Sequence, residues 1–296
     1  MTSKVFVVVP VHNRIEDTKE FMKSIKKQTY KNFELTIVDD GSTDGTSDYI
    51  KKKYPWVNVL HGNGNLFYTG GMRKGISYLK KKAKNGDFLL TLNNDTTFDK
   101  DYIKTLVKIS QNNGRILVGT ICKELDTKKI VDTTHNTNWN PFSLKRSEKK
   151  SPDRKLLFDT KTLSGRGTIV PIEVVKKIGN FNKNLPQYGS DSDFFYRAKK
   201  NGFTLAVTTE VVTYSLDSAK SQDEIILKKR KKTLADIKRL FFSIRSKYNL
   251  WYKGKVIWYN APTLLKIPTL LKWYAFFLFF VLIVYPLSKI NIRIKF

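Results

Sequence analysis

Lys4 to Val11 (KVFVVVPV) is a run of β-branched and aromatic residues that stops abruptly at His12, Asn13 and Arg14. A strand apolar on both faces of its pleat must be covered from above and below, which places it inside a sheet sandwiched by helices. The run is too short, and meets polar residues too soon, to be a secretory core, so no secretory leader is expected. One cysteine, Cys122, excludes an internal disulfide and any multi-cysteine zinc site, and fits a cytoplasmic setting.

The pattern then alternates between two periods. Ile15 to Gln28 places Phe21, Ile25 and Gln28 at helical spacing, and Phe33 to Asp39 (FELTIVD) is a second strand closed by the turn formers Asp40 to Asp44. Ser47 to Lys53 predicts a short helix, Val57 to Leu60 a strand, Gly71 to Lys84 a helix, and Phe88 to Leu92 a strand ending in Asn93, Asn94 and Asp95. Strands alternating with helices predict an α/β fold with a mostly parallel sheet, whose ligands sit beyond the carboxyl ends of the strands. Three polar clusters lie there: His12 to Arg14, Asp39 to Asp44, and Asn93 to Asp95. No glycine-rich dinucleotide fingerprint or phosphate loop follows any of these strands. Residues 126 to 160 read as a mobile or inserted region. A second ordered block follows, with Leu163 to Pro171 entering a strand, a helix over Ile172 to Ile178, a helix over Asp191 to Asn201 and a strand over Thr204 to Thr208.

Charge divides the chain differently. Of the formal net charge of +28 over 296 residues, residues 219 to 296 contribute half, with 17 Lys/Arg against 3 Asp/Glu, a surplus of 14. Such a segment seeks an anionic partner, either nucleic acid or the cytoplasmic lipid leaflet. No zinc-finger spacing or aromatic RNA-binding signature supports nucleic acid, which is therefore not an expected partner. Trp273 to Leu287 is uncharged, edged by Trp273, Tyr274 and Tyr285 and followed by Lys289, Arg293 and Lys295. Aromatic edges and basic flanks favour an interfacial or shallow membrane helix over one packed on the protein's own body. The expected division is residues 1–218 as one domain and 219–296 as a basic helical and apolar extension that associates with a membrane.

Read in order, VVVPVHNR, KKQTYKNFELTIVDDGSTDGT, GNGNLFYTGGMRKG, LLTLNNDTTF, GRGTIVP and YGSDSDFFYRAKKNGF resemble the inverting family 2 glycosyltransferases with the GT-A fold. The NLFYTGGMRKG form is most similar to the branch containing rhamnosyltransferases and related cell-surface polysaccharide enzymes. The resemblance implies transfer of a sugar from a UDP- or dTDP-linked donor to a hydroxyl of a glycan or lipid-linked acceptor. The other reading is an inactive nucleotide- or glycan-binding protein of the same fold, and self-association is left open.

The chemistry gives each motif a task. Cleaving a sugar–phosphate bond leaves negative charge on a diphosphate, which Mn²⁺ or Mg²⁺ offsets while taking only one or two protein carboxylates. Asp95 can supply one. Asn93-Asn94-Asp95 resembles the family's acidic pair with a single carboxylate kept, and the resemblance places Asn94 in the nucleotide-sugar site. It also implies that Asp40 accepts the N3–H of uracil or thymine, and that Pro10, Val11 and Arg14 form the base and ribose wall. Asp39 is expected to orient the backbone around the turn, and the alternative is that both aspartates merely cap a helix. Gly70, Gly71 and Gly75 permit close backbone approach, and Arg73 can meet a phosphate at the start of its helix or stay a solvated base beside Lys74.

Inversion needs a base opposite the leaving group. Asp191 and Asp193 lie about 200° apart on a helix, and Asp193 is four residues before Arg197, an ion-pair spacing. Asp191 is therefore the candidate base. The family commonly has Glu where Ser190 stands, and a histidine where this chain has Tyr214 and Ser215 with Asp217 next.

Overall fold

The computed structural model describes residues 3–132, 155–158, 160–216, 222–290 and 292. The elements run β1 (Val5–Val11), α1 (Ile15–Lys26), β2 (Phe33–Asp39), α2 (Thr46–Lys53), β3 (Asn58–His61), α3 (Phe67–Leu79), β4 (Phe88–Thr91), β5 (Thr96–Phe98), α4 (Tyr102–Asn112) and β6 (Leu117–Glu124). They continue with β7 (Ile130–Asp132), β8 (Leu156–Phe158), β9 (Thr168–Pro171), α5 (Ile172–Ile178), α6 (Ser190–Lys200) and β10 (Leu205–Ser215). The last are α7 (Gln222–Lys228), α8 (Leu234–Phe242), α9 (Leu250–Asn260), α10 (Lys266–Phe279) and α11 (Tyr285–Lys289).

The sheet order is β3-β2-β1-β4-β9-β6-β10-β5. β1 lies parallel to both β2 and β4, so the strand with the least polar sequence is flanked on both edges as well as both faces. Its odd residues Val5, Val7, Val9 and Val11 pack with Phe21 and Ile25 of α1 and with Tyr102 and Leu106 of α4. Phe6 and Val8 point the other way, toward Met72 and Ile76 of α3 and Phe194 and Phe195 of α6. Period-two alternation thus fills two cores at once.

The parallel arrangement holds from β3 to β4. Beyond it the sheet is mixed: β9 runs antiparallel to β4 and β6, whereas β6 and β10 are parallel to each other. β10 extends seven residues past the predicted Thr208 and carries a register shift between Thr208 and Thr213, after which it pairs with β5. Residues 96–125, for which the sequence patterns predict no element, form β5, α4 and β6. Within the expected mobile region, β7 and β8 form at the two ends, and residues 133–154 lie outside the described residues.

α3 begins at Phe67, four residues before the predicted Gly71, and this shift has a steric purpose. A Cβ on Gly71 would stand 2.8 Å from the Pro10 Cβ, and one on Gly75 would overlap the Val8 side chain and reach Val38 Cγ2 at 3.3 Å. The two glycines, one turn apart, let the helix lie directly on β1. Gly75→Ala should therefore overpack this contact and cost about 1–3 kcal/mol, read as a lowered thermal midpoint with an unchanged far-UV spectrum. An unchanged midpoint would mean that α3 does not bear on β1 this closely.

Candidate active site

The carboxyl ends of β1, β2 and β4 converge where the strand order reverses around β1, the crevice in which open α/β sheets bind ligands. Asp40 organises one side of it. Its Oδ1 accepts the Gly64 N–H at 2.9 Å and its Oδ2 the Phe67 N–H at 3.0 Å. The carboxylate stands in for an N-cap supplied from another strand, which is why α3 starts before its glycines. Asp40 also donates its own N–H to the Val11 carbonyl at 2.9 Å, and its carbonyl lies 2.7 Å from His12 Nδ1. Asp39 orients the same turn, accepting the Ser42 N–H at 2.9 Å and the Ser47 hydroxyl.

The other predicted contacts are distributed unevenly. Pro10 packs its ring on Gly71, and Val11 is buried at the strand end. Arg14 precedes α1 and pairs with Asp17 at 3.0 Å. Gly70 lies against the Leu66 side chain inside α3. Arg73 sits midway along α3 rather than at its start, and its guanidinium donates to the Phe181 carbonyl. With Asn180 donating to the Arg73 carbonyl at 3.0 Å, this residue holds the loop after α5. The geometry gives Arg73 a structural partner in that loop. Asn94 is buried, and its side-chain amide donates to Thr18 Oγ1 of α1 at 2.9 Å.

Asp95 is different. It is 8% exposed, and its Oδ1 is buried without a hydrogen-bond partner, as is the neighbouring Asn93 Oδ1. Its Oδ2 lies 3.8 Å from Arg166 Nη2, too far for a hydrogen bond but close enough for charge attraction. Asp95 first and, to a smaller degree, Asp132 raise the pKa of Arg166 against the opposing effect of burial. An orphaned carboxylate oxygen and, two residues before it in the chain, an orphaned amide oxygen are of the donor type that suits a hard divalent cation. Among the described residues no group of three His, Cys, Asp or Glu could hold a metal, so such a cation would need oxygens from its ligand as well. Tyr214 and Ser215 end β10, and Asp217 lies outside the described residues.

Asp191 contacts Gly165, the residue next to Arg166. It occupies the first turn of α6, where its Oδ1 accepts the Ser192 N–H at 2.8 Å and its Oδ2 accepts the Gly165 N–H at 3.2 Å. Residues 165–166 thus touch Asp191 through the Gly165 amide and face Asp95 through the Arg166 guanidinium. Asp193 is 1% exposed and pairs with Arg197 at 2.9 Å, as its spacing predicted, while Arg197 also donates to the Ile178 and Asn180 carbonyls.

Three residues escaped the sequence reading. Arg166 was visible only as part of GRGTIVP. The Tyr68 hydroxyl is buried without a partner, and burial together with the Asp191 charge holds its pKa well above the usual phenol range. Tyr188 likewise has a raised pKa, first from burial and then from Asp223, with Arg166, Arg239 and Arg14 opposing. Gly189, the next residue, packs against Val256 of α9, so the basic extension touches the segment that carries Asp191.

Asp40→Asn would set an amide NH₂ against backbone N–H donors. Losing a charged acceptor there should cost about 1.5–3 kcal/mol. Thermal unfolding reads this, and an unchanged midpoint would show that Asp40 does not shape the 64–67 loop.

The chain matches Glycosyl transferase family 2 over residues 6–179, more than half its length. An uncharacterized glycosyltransferase of Rickettsia conorii is 34% identical over 137 residues, 45% of this chain and 22% of that protein. The glycosyltransferase GlyA of Streptococcus pneumoniae serotype 4 is 31% identical over 120 residues, 39% of this chain and 16% of that protein. The chain thus aligns with about a fifth of the length of these curated relatives. Among solved structures, the mannosyltransferase PcManGT of Pyrobaculum calidifontis, in complex with GDP-Man and Mn²⁺, superposes with a TM-score of 0.60 at 14% identity, covering 98% of this chain and 74% of that one. TarS of S. aureus does so with a TM-score of 0.59 at 17% identity, covering 88% and 50%. These likenesses establish the GT-A fold. The chain belongs to glycosyl transferase family 2.

Proposed function

We propose that this chain is an inverting glycosyltransferase that moves a sugar from a nucleotide-sugar donor, UDP- or dTDP-linked, to a hydroxyl of a glycan or lipid-linked acceptor at a membrane surface. The observation that carries the reading is the convergence of Asp95 and Asp191 on residues 165–166, one with an orphaned oxygen and one at a helix N-terminus.

Asp191 takes the proton from the acceptor hydroxyl as that oxygen bonds to the anomeric carbon. The bond from this carbon to the diphosphate oxygen breaks, and the nucleoside diphosphate departs with the electron pair. The Gly165 amide holds the Asp191 carboxylate in place, and the raised pKa of Tyr68 keeps a neutral hydroxyl beside it rather than a competing charge. Arg166 presents positive charge toward the departing diphosphate from beside Asp95. Asp95, with the unpaired Asn93 Oδ1, would hold a Mn²⁺ or Mg²⁺ ion, which when bound would supply further positive charge to offset that of the leaving group. The mannosyltransferase named above was solved with Mn²⁺, which supports this choice of ion.

A screen of UDP-, dTDP- and GDP-sugars with Mn²⁺ and with Mg²⁺ tests the activity, and nucleotide binding without turnover under every condition would favour the inactive binder. Asp191→Asn should lower kcat by about 10²–10⁴-fold while leaving the nucleotide Kd unchanged; undiminished turnover removes Asp191 from the mechanism. Asp95→Asn should abolish the dependence of nucleotide affinity on the divalent ion, measured by calorimetry with and without chelator. Retained ion dependence would place the metal elsewhere.

A further inference from the structure

The Thr263–Lys289 segment is helical throughout, 27 residues with an apolar window of which only 11% is buried. At 1.5 Å per residue it measures about 40 Å, long enough to cross a bilayer. Its surroundings argue against crossing. Phe241 of α8 packs on Phe277 and Phe280 with ring centroids 5.0 and 5.2 Å apart, and Tyr248 stacks on Trp273 at 6.3 Å. The Lys232 N–H meets the Ser288 hydroxyl at 3.3 Å, tying the far end of the segment to the basic run Lys228 to Lys232. One side is therefore committed along its length to α8 and to the connection between α7 and α8, which together bear Lys229, Arg230, Asp236, Lys238 and Arg239. A crossing rod would carry these charges into hydrocarbon or lose its core.

The opposite side is apolar and open. Leu264, Ile267, Leu271, Leu278 and Leu282 recur at intervals of three, four, seven and four residues, one stripe of a helix, and are 52–89% exposed. α9 runs antiparallel beside this helix: the Trp273 indole donates to the Leu250 carbonyl at 3.2 Å, and Gly254 brings the backbone close to Tyr274 and Leu270. It adds Trp251 and Trp258, 68% and 53% exposed. Lys255 lies 6.0 Å from the Trp251 ring and Lys266 5.3 Å from the Trp258 ring. An open cleft of ≈ 220 Å³ lies between Phe242 and Trp251.

We propose that α9 and the Thr263–Lys289 helix form one flat seat that lies in the plane of an anionic phospholipid surface. Leucines enter the acyl boundary, Trp251 and Trp258 sit at headgroup level, and Lys255, Lys266, Lys272 and Lys289 meet lipid phosphates. The surplus positive charge of this part of the chain gives the attraction its sign. This deepens the membrane element of the function proposed above. It is tested without any sugar donor, so failure of catalysis and failure of the seat are separate results.

The full chain is floated with vesicles of 70% phosphatidylcholine and 30% phosphatidylglycerol, and with phosphatidylcholine alone. Binding should favour the anionic vesicles and fall at least about ten-fold in a variant combining Trp251→Ser, Trp258→Ser, Leu271→Gln and Leu278→Gln. Equal flotation of this variant, or equal binding to neutral vesicles, overturns the seat. A readout independent of that variant's folding uses Pro262→Cys and Ile290→Cys singly, both at exposed positions, with Cys122 buried. In vesicle-bound protein a membrane-impermeant maleimide should label both from outside. Protection of either one means that the helix crosses. A dimer formed without lipid and dissociated by the same four substitutions means that the face belongs to a second copy.

Discussion

A single carboxylate connects the parts of this site. Asp40 leaves the end of β2 and accepts two backbone N–H groups from the loop that opens α3. α3 in turn fixes the segment before α6: the Thr69 N–H donates to the Pro186 carbonyl, its hydroxyl to the Leu185 carbonyl, and the Tyr68 N–H to the Gln187 side chain. The position of Asp191 is thereby referred back to the central strands through hydrogen bonds and one helix packed on β1. Charged acceptors make the strongest of such bonds, and Asp40 is 4% exposed, so water competes little for it.

The second constraint is electrostatic. A lone carboxylate at the sheet edge would be poorly stabilised without a cation, and Asp95 has Arg166 at 3.8 Å with one oxygen still unpaired. The arrangement is part satisfied and part open. It holds Asp95 in place while keeping a lone pair available, which is what a site must do if it takes up and releases a charged ligand in each cycle. Glycine at 165 belongs to the same logic, because a Cβ there would collide with the Tyr68 hydroxyl.

The sheet was legible wherever a strand was buried on both faces, since continuous apolar runs such as Val5–Val11 and Phe33–Asp39 announce themselves. α3 was misplaced at its start because its cap comes from a carboxylate 27 residues away, a signal that no local window contains. The reversed β9 was invisible for a related reason: TIVP reads alike in either direction, and its pairing with β4 and β6 is decided by tertiary packing. The Asp193–Arg197 pair followed from helical spacing alone. Arg73 and Asn94 did not, because their partners, the Phe181 carbonyl and Thr18, lie 108 and 76 residues away. In the apolar helix the sequence showed hydrophobicity but not which side faces the protein. Phe280–Val284 forms a widened π turn just before Pro286, whose ring lacks an N–H for the preceding turn.

Gly189, the left-handed residue that launches α6, leaves room for Val256 of α9, whose Cγ2 would lie 2.5 Å from any Cβ placed there. The partition at residue 218 drawn from charge is therefore not a seam along which the molecule can be cut. Shortening the chain before α9 would strip a wall from behind the helix that carries Asp191, so a dead fragment would say nothing about anchoring. The same wall sets a length scale: one helix about 10 Å thick separates Gly189 from the tryptophans on the outer side of α9.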